Sequence, residues 1–379
     1  MKIASTLLGL LLFAAPLAAQ GFSEGFVREL RCPGGGRLPD AALDRDGALH
    51  LVYFAGAKAA GDLFYVHSED EGATFSEPVR INEEPGTVRG TGALTGGSID
   101  VDGRRQAHVV WLTAGKEPTI RYARVKSGEV SLRQQLAEGH RGLDVAPEIV
   151  YGQGRAVVLW HSLAESKAEA SEDEPSRRLF LCDSEDFGET FSEPRMIDDE
   201  RFGVSAGCTV SAVFAKRGTL YALYRTRNGK DRHLRFVSTD DFGVNVESRF
   251  LDSLLSRKAQ RTSTALSLGP STPVVAWIND DRLAWSSMNK TGGIAPPVGP
   301  RRKELWRRSP AIAASTKRAV MLTWLEGKEK GKPKRIGWQA FDLMNKSNID
   351  LGSFESDLSM DTTPLVFVRP SDEGFTILY

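Results

Sequence analysis

Two stretches of the chain, residues 68–78 and 184–194, are nearly identical although they lie far apart in the sequence. The first reads SEDEGATFSEP and the second reads SEDFGETFSEP, and a looser copy, STDDFGVNVES, occupies 238–248. A motif that recurs in this way indicates a repeat architecture, in which one small structural unit is used several times. This repeat constrains the fold more strongly than any other feature of the 379-residue chain.

The repeated unit is longer than the motif and contains four short strand-like segments. Residues 37–82 and 143–198 each hold a first strand, a glycine-marked turn, a second strand, a third strand, the motif and a fourth strand. The segments LHLVYF and AVVLWH alternate with the period of two that pleated strands require. Further units, in which the motif is incomplete or absent, begin near residues 92, 207, 262 and 307.

Four-stranded units that follow one another along a whole chain predict an all-β fold, a single β-propeller. Six units look complete, whereas the last segment, TTPLVFVRPSDEGFTILY, supplies only a first and a second strand. Residues 22–30 (FSEGFVREL) resemble the fourth-strand segment 75–82 (FSEPVRIN), so we expect the N-terminus to complete the last blade. We therefore predict one domain over residues 20–379, with seven blades closed by the N- and C-terminal strands; six blades is the alternative.

The N-terminus has the pattern of a secretory signal peptide over residues 1–19. A positive start at Met1-Lys2 precedes an apolar run from Ile3 to Leu17, and small residues follow it. The run is shorter than the about 20 residues that a membrane-spanning helix needs. We predict cleavage near Ala19, no stable membrane insertion and an exported protein, either periplasmic or extracellular.

Charge and cysteine content exclude several classes of function. Forty-nine Lys and Arg balance forty-nine Asp and Glu, so no net charge attracts nucleic acid. An odd number of cysteines in an exported chain leaves at least one thiol outside any intrachain disulfide, and these three are Cys32, Cys182 and Cys208. The histidines show no metal-ligand spacing, and the sequence has no glycine-rich phosphate loop. We predict neither a metal nor a cofactor.

The repeated motif resembles the Asp-box, Ser-x-Asp-x-Gly-x-x-aromatic, of sialidases and related β-propellers. It is expected to shape the hairpin between the third and fourth strands: the Asp accepts hydrogen bonds from turn amides, the Gly permits a positive φ and the aromatic ring packs beneath. A turn that satisfies its own polar groups and recurs in several blades indicates a structural role. The residues concerned are Ser68, Asp70, Gly72 and Phe75; Ser184, Asp186, Gly188 and Phe191; and Thr239, Asp241, Gly243 and Val246.

Ligand binding is expected on the face of the propeller opposite the Asp-boxes. The starts of first strands and the ends of second strands meet there, at the mouth of the channel. Arg37 and Arg308 each stand two residues before the Pro of a first strand, and Arg225 ends a second strand. Arginines gathered at one concave site need anions to offset their repulsion, so we predict that they bind an anionic ligand. The alternative for each is a salt bridge between blades, with a carboxylate such as Glu148 or Asp231.

Sialidases resemble this arrangement, because they bind the carboxylate of their substrate with three arginines. The tripeptide Arg37-Leu38-Pro39 approaches their Arg-Ile-Pro pattern, and residues 209–243 look like the segment of a later blade that carries an arginine and an Asp-box. The resemblance implies a sialidase-like propeller that recognises an acidic glycan. Bidentate pairing between arginine and carboxylate would supply both strength and orientation.

The catalytic residues of sialidases have weak counterparts in this chain. The resemblance implies a Tyr nucleophile with a Glu partner, but the Glu position reads Gly207-Cys208 and the late blades offer only Tyr379. Asp62 is the sole candidate for the acid in its loop. Because glycoside hydrolysis generally needs two correctly spaced groups, we expect a glycan-binding protein with absent or weak sialidase activity. The alternative is an active glycoside hydrolase with a relocated carboxylate, Asp144 or Glu148.

Overall fold

The computed structural model describes residues 26–90, 96–163, 177–198, 202–215, 217–227, 233–252, 264–279, 282–288, 294–300, 305–356, 358–359 and 362–379. These residues form β-strands and one short 3₁₀ helix, Pro33–Gly35. Among them is no helix that is long and apolar enough to cross a membrane. The predicted signal peptide lies outside the described residues.

The strands form seven small sheets, numbered here as blades 1 to 7, and each blade begins with its innermost strand. Blade 1 comprises Arg37–Leu43, Leu49–Ala57, Ala60–Ser68 and Val79–Arg80; blade 2 comprises Gly97–Val101, Ala107–Leu112, Ile120–Lys126 and Glu129–Leu136; blade 3 comprises Glu148–Gly152, Arg155–Leu163, Arg177–Ser184 and Arg195–Met196. Blade 4 comprises Ser211–Phe214, Leu220–Arg227, Leu234–Thr239 and Glu247–Asp252, and the short strand Gly203–Val204 also pairs with its second strand.

The remaining three blades differ in how complete they are. Blade 5 comprises Thr264–Leu268, Pro273–Asn279 and Arg282–Ser287; blade 6 comprises Trp306–Ala314, Ala319–Gly327, Arg335–Asp342 and Asn348–Glu355; blade 7 comprises Leu365–Val368, Phe375–Leu378 and Val27–Leu30. In the described part of blade 5, isolated bridges at Ile294 and Val298 stand where the other repeats have a fourth strand. The sequence prediction of a complete fifth unit is therefore met for three strands only.

Both chain ends contribute to blade 7, and this closes the ring. Val27–Leu30 pairs in parallel with Phe375–Leu378. The N-terminal strand ends on the mouth face, because the chain continues from it into the innermost strand of blade 1, which starts on that face. Val27–Leu30 therefore runs in the direction of a fourth strand. Within the described residues blade 7 has no third strand, so Val27–Leu30 pairs directly with the second strand. Innermost strands contact their neighbours all the way round, including blade 7 with blade 1. The prediction of seven blades is confirmed, and the six-bladed alternative is wrong.

The hydrophobic core lies between neighbouring blades. One cluster joins Val52 and Phe54 of blade 1 to Val109 and Trp111 of blade 2, and similar clusters follow around the ring. A second strand is therefore covered on both faces, so it is a nearly continuous buried run, and the alternation expected for LHLVYF and AVVLWH is wrong. In blade 2, all six residues of Ala107–Leu112 are buried.

The repeated motif forms a hydrogen-bonded turn at each of its three copies. In blade 3, Ser184 Oγ donates to Asp186 Oδ1 (2.8 Å) and accepts the N–H of Gly188 (2.7 Å). Asp186 also accepts hydrogen bonds from the N–H and the hydroxyl of Thr190, at 2.9 and 2.7 Å. Burial alone would raise the pKa of Asp186, but these hydrogen bonds outweigh it and lower the pKa to about 2. Asp70 and Asp241 are bound in the same way.

We expect Asp186→Ala to lower the free energy of unfolding without changing ligand affinity, because this turn lies on the face opposite the mouth. Losing the hydrogen bonds to Thr190 and Ser184 should cost about 1–3 kcal/mol. Urea denaturation and ligand titration of the same preparation measure both effects, with the exposed Asp240→Ala as control. A binding defect at unchanged stability would contradict the structural role.

Candidate functional site at the channel mouth

Arg37 and Arg308 lie in the same local structure in two different blades. The residue after each arginine, Leu38 or Ser309, has a positive φ, 51° and 50° respectively. In both blades the strand register shifts between the arginine and the residue three positions on. Non-glycine residues in this conformation cost about 1 kcal/mol or more, and such outliers cluster at functional sites. A bulge also changes the direction of a side chain, so the same device orients both arginines.

The two arginines are half-buried at the mouth ends of the innermost strands of blades 1 and 6. Arg37 Nη2 donates to the carbonyl of Gly56 (2.7 Å), and its guanidinium lies 5.5 Å from the centre of the Phe54 ring. Arg308 pairs with Leu325 across the strand. Blade 7, formed by the two chain ends, stands between these blades.

Arg225 occupies a different environment. It lies near the mouth end of the second strand of blade 4, pairs with Leu234, and is 1 % exposed. It is thus much more deeply buried than Arg37 and Arg308. The joint binding of one ligand by the three arginines stays a prediction.

Three carboxyl groups lie beside the channel in the innermost strands of blades 1 to 3, and each accepts a hydrogen bond from the next blade. Asp40 Oδ2 accepts the N–H of Ile99 (2.8 Å), and Asp100 Oδ2 accepts that of Tyr151 (2.6 Å). Glu148 Oε1 accepts the N–H of Ala212 at 3.3 Å. These side chains therefore connect blades 1 to 4 around the channel.

Burial changes the protonation of this carboxyl group cluster. It raises the pKa of Asp40 to about 6, and that of Asp100, with some repulsion from Asp40, to about 7. Burial and the two Asp carboxylates raise the pKa of Glu148 well above its ordinary value. A carboxyl group that stays protonated near neutral pH has the property required of a general acid. Sequence reasoning singled out Glu148 and missed Asp40 and Asp100.

Asp144, the other suggested carboxylate, belongs to a network that fixes the chain entering blade 4. Its Oδ2 accepts the N–H of Gly207 (2.7 Å), and its Oδ1 lies 3.3 Å from Arg177 Nη1. His161 Nε2 donates to the carbonyl of Cys208 (2.9 Å), which leaves Nδ1 to accept from Arg177 (3.2 Å). Burial lowers the pKa of His161, in agreement with a neutral ring. Cys208, like Cys32 and Cys182, is buried and forms no disulfide bond.

The remaining candidates from the sequence also have defined surroundings. Asp62 Oδ1 accepts hydrogen bonds from Asn82 (2.7 Å) and from the N–H of Gly86 (2.9 Å), and so shapes the loop that leads to blade 2. The Tyr379 hydroxyl donates to Glu29. Burial and Glu29 raise the pKa of Tyr379, whereas a nucleophilic phenolate needs a lowered one.

Two points from the sequence analysis remain, the carboxylate Asp231 and metal binding. Asp231 lies outside the described residues. Within the described ranges, no group of three or more His, Cys, Asp or Glu side chains has the arrangement of a metal site.

Comparison with known proteins supports the fold. Neither the protein-family models nor the curated protein sequences contain a match. Among solved structures, an α-L-arabinofuranosidase from Fusarium graminearum matches with a TM-score of 0.57 at 10 % identity, over 82 % of this chain and 94 % of that chain. A protein of unknown function from Dyadobacter fermentans gives 0.54 at 13 % identity, over 80 % and 93 % of the two chains. An α-L-arabinanase from Penicillium chrysogenum gives 0.53 at 11 % identity, over 82 % and 94 %.

At these identities the likeness establishes the fold alone. The chain is a seven-bladed β-propeller, and the arabinofuranosidase and the arabinanase are similar to it in fold. The β-propeller fold that the repeated motif indicates is confirmed.

Proposed function

We propose that the protein binds an acidic glycan, or another ligand that carries a carboxylate, at the mouth of the channel. Arg37 and Arg308 bind the anionic group, and Arg225 completes the clamp. The main support is the shared bulge: both arginines precede a residue at positive φ, in two blades that flank blade 7. Strained backbone within a strand, away from a hairpin turn, is found preferentially at ligand-binding and active sites. We further propose export after cleavage near Ala19, on the pattern of the N-terminal sequence.

The chemistry of the ligand follows from the arginine side chains. A guanidinium group presents its N–H donors in a planar fork that matches a carboxylate, and such bidentate pairs are the strong ones. Two or three guanidinium groups at one concave site also repel each other unless an anion lies between them. A carboxylate-bearing sugar offers that anion together with hydroxyl groups for further hydrogen bonds.

Glycoside hydrolysis is the second candidate function, and one specific observation favours it. Glu148 in blade 3 and Asp40 in blade 1 lie beside the channel and both have raised pKa values, and Asp40 contributes to the shift of Glu148. In this alternative, Glu148 donates a proton to the leaving oxygen and a second carboxylate acts as base or nucleophile. Two of the solved propellers of similar fold are hydrolases of arabinose-containing substrates, so arabinobiose is a suitable test substrate. Sialidase chemistry is expected to be absent or weak, because Gly207-Cys208 replaces the Glu of sialidases.

The test uses the purified chain without residues 1–19, titrated with sialyllactose, digalacturonate and arabinobiose and assayed for cleavage of each. We expect binding of one or both acidic sugars without release of sialic acid. Binding that is confined to arabinobiose would contradict recognition of an anion. Cleavage of any of the three at rates abolished by Glu148→Gln would establish the hydrolase instead.

We expect Arg37→Ala to weaken binding of the acidic sugar by about 1.5–3 kcal/mol, the range for a hydrogen bond to a charged group. Arg37→Lys should restore only part of this, because an ammonium group cannot reproduce the fork. Calorimetric titration measures the affinity, and Arg80→Ala, on the outer strand of blade 1, is the matched control. The same substitutions at Arg225 decide its role: a lower melting temperature with intact affinity would assign it to the core.

A further inference from the structure

A cavity of about 590 Å³ lies between blades 1 and 2, at the mouth ends of their outer strands. Its volume falls within the range of about 300–1,000 Å³ that is typical of small-molecule sites. One wall is the segment 82–87, which follows the fourth strand of blade 1, and the other belongs to blade 2. All of the lining residues lie in the described ranges 26–90 and 96–163. Arg37 and Arg308 do not line this cavity, so it is separate from the mouth site.

The wall formed by blade 1 is held in place by its own hydrogen bonds. Asn82 Nδ2 donates to Asp62 Oδ1 and to the carbonyl of Glu84, both at 2.7 Å. The hydroxyl of Thr87 donates to the same carbonyl of Glu84 (2.7 Å). The carbonyl of Thr87 in turn accepts the N–H of Ala114 from blade 2 (2.7 Å). A ligand therefore meets a preformed wall and does not have to order it, which favours binding.

The wall formed by blade 2 carries two guanidinium groups on one face of the sheet. Arg121 is paired with Trp111 across the second and third strands, and residues that are directly opposite share a face. Arg133, on the fourth strand, is paired with Ala123, two residues after Arg121, and so lies on this face as well. Arg133 Nε donates to the carbonyl of Ile81 in blade 1 (2.7 Å). This contact fixes the side chain of Arg133 and leaves its two Nη groups for a ligand.

Arg121 has hydrogen-bond donors that the protein does not use. Its side chain is half-buried, yet within the described ranges its guanidinium makes no hydrogen bond, ion pair or ring contact. A cation that is partly removed from water is costly unless acceptors replace the water. The carboxylates of Glu83 and Glu84, which belong to the opposite wall, also have no partner among the described residues. The two walls therefore offer donors and acceptors that are not paired with each other.

The lining indicates the chemistry of the occupant. It holds two guanidinium groups and two carboxylates, so it has no excess charge that would select an anion. Its aromatic residues, Trp111 and Tyr122, are 3 % and 0 % exposed, so neither offers a ring face to an aromatic ligand. A hydroxyl group both donates and accepts, and a molecule with several hydroxyl groups can therefore bind both walls. Small lining residues leave room for its CH groups, namely Ala60, Gly86, Ala114 and Gly115.

We infer that this cavity binds one or two units of a neutral saccharide, and that Arg121 provides the main hydrogen bonds to its hydroxyl groups. The inference goes beyond the proposed function, because it involves none of the mouth arginines and requires no acidic group on the ligand.

The experiment titrates the chain without residues 1–19 with arabinobiose, galactobiose, cellobiose and maltose, and separately with inorganic phosphate. Arg121→Met removes the guanidinium group and keeps an apolar side chain. Because Arg121 has no partner within the described ranges, this variant should keep the melting temperature of the wild type. Ala114→Trp fills the cavity from a half-buried position. Lys126→Met, at the exposed opposite end of the strand that carries Arg121, is the matched control.

The wild type should bind at least one of the four disaccharides. Arg121→Met and Ala114→Trp should each weaken this binding about tenfold or more, and Lys126→Met should behave as the wild type. Binding of none of the four, or equal affinities of the wild type and Arg121→Met, would overturn the inference. Phosphate binding that Arg121→Met abolishes would also overturn it, because the cavity would then be an anion site. The proposed function would not be affected by any of these results, since its test is the binding of acidic sugars through Arg37.

Discussion

Gly188→Ala is expected to lower the free energy of unfolding by about 2–4 kcal/mol. Gly188 has a φ of 82°, which is strained for any residue with a Cβ and costs about 1 kcal/mol. The added Cβ would also stand 1.8 Å from the hydroxyl oxygen of Tyr122. Tyr122 is fully buried, and its hydroxyl is hydrogen-bonded to His108 at 2.8 Å. The ring has no room to move aside, so overpacking adds about 1–3 kcal/mol.

Gly154→Ala separates the two contributions. Gly154 has a similar φ of 78°, but no atom lies within 4 Å of the position of an added Cβ. This control should lose only the backbone term, about 1 kcal/mol. Urea denaturation of both variants measures the difference. Equal losses of unfolding free energy in the two variants would show that the contact with Tyr122 does not contribute to the destabilisation.

The contact of Gly188 with the preceding blade is a general property of the repeated motif. A Cβ at Gly72 would stand 2.6 Å from Leu30 of blade 7, and one at Gly243 would stand 2.7 Å from Ile197, which follows the outer strand of blade 3. In each copy, the glycine lets the turn pack closely against its neighbour in the ring. The motif therefore sets the spacing of blades in addition to shaping its own hairpin.

Asp40 and Asp100 are expected to contribute less stability as the pH rises from about 4 to about 8. Their pKa values are raised to about 6 and about 7 in the folded state, against about 3.9 in an unfolded chain. Between these values the folded state binds more protons, so the contribution of the two groups to the free energy of unfolding is largest near pH 4 and falls as they ionise. The lowered pKa values of His50 and His161 act in the opposite direction, but they are common to the wild type and to variants of Asp100. Because both carboxyl groups are only half-buried, solvent screens them, and we expect their ionisation to cost about 1–3 kcal/mol.

Asp100→Asn tests this assignment, because the amide keeps an acceptor for the N–H of Tyr151 but has no charge. The variant should be more stable than the wild type at pH 8 and should lose this advantage near pH 4. Urea denaturation at pH 4, 6 and 8 measures the trend. Asp46→Asn, whose side chain is 57 % exposed, should follow the wild type at all three values. Parallel profiles of Asp100→Asn and the wild type would contradict the role of Asp100.

The sequence alone determined the architecture of this protein because the relevant signals are local. Short apolar runs such as Ala107–Leu112 identify the strands, and the chemistry of the Asp186 turn lies within seven consecutive residues, 184–190. Counting such units predicted the number of blades, and the likeness of residues 22–30 to a fourth strand predicted where the ring closes. The positions of Arg37 and Arg308 at the starts of first strands also followed from the alignment of repeats.

The tertiary structure decided what depends on contacts between blades. Asp40, Asp100 and Glu148 influence each other's protonation although long stretches of sequence separate them. Arg225 lies near the end of an apolar strand, where the sequence predicts a side chain at the mouth, but the packing of blade 4 leaves this side chain only 1 % exposed. A cavity of about 820 Å³ beside Trp324 is lined by residues of blade 6 and by Val298, Gly299 and Pro300, so no single repeat contains it. Burial and electrostatic coupling are properties of the closed ring, so a pattern read along one repeat cannot contain them.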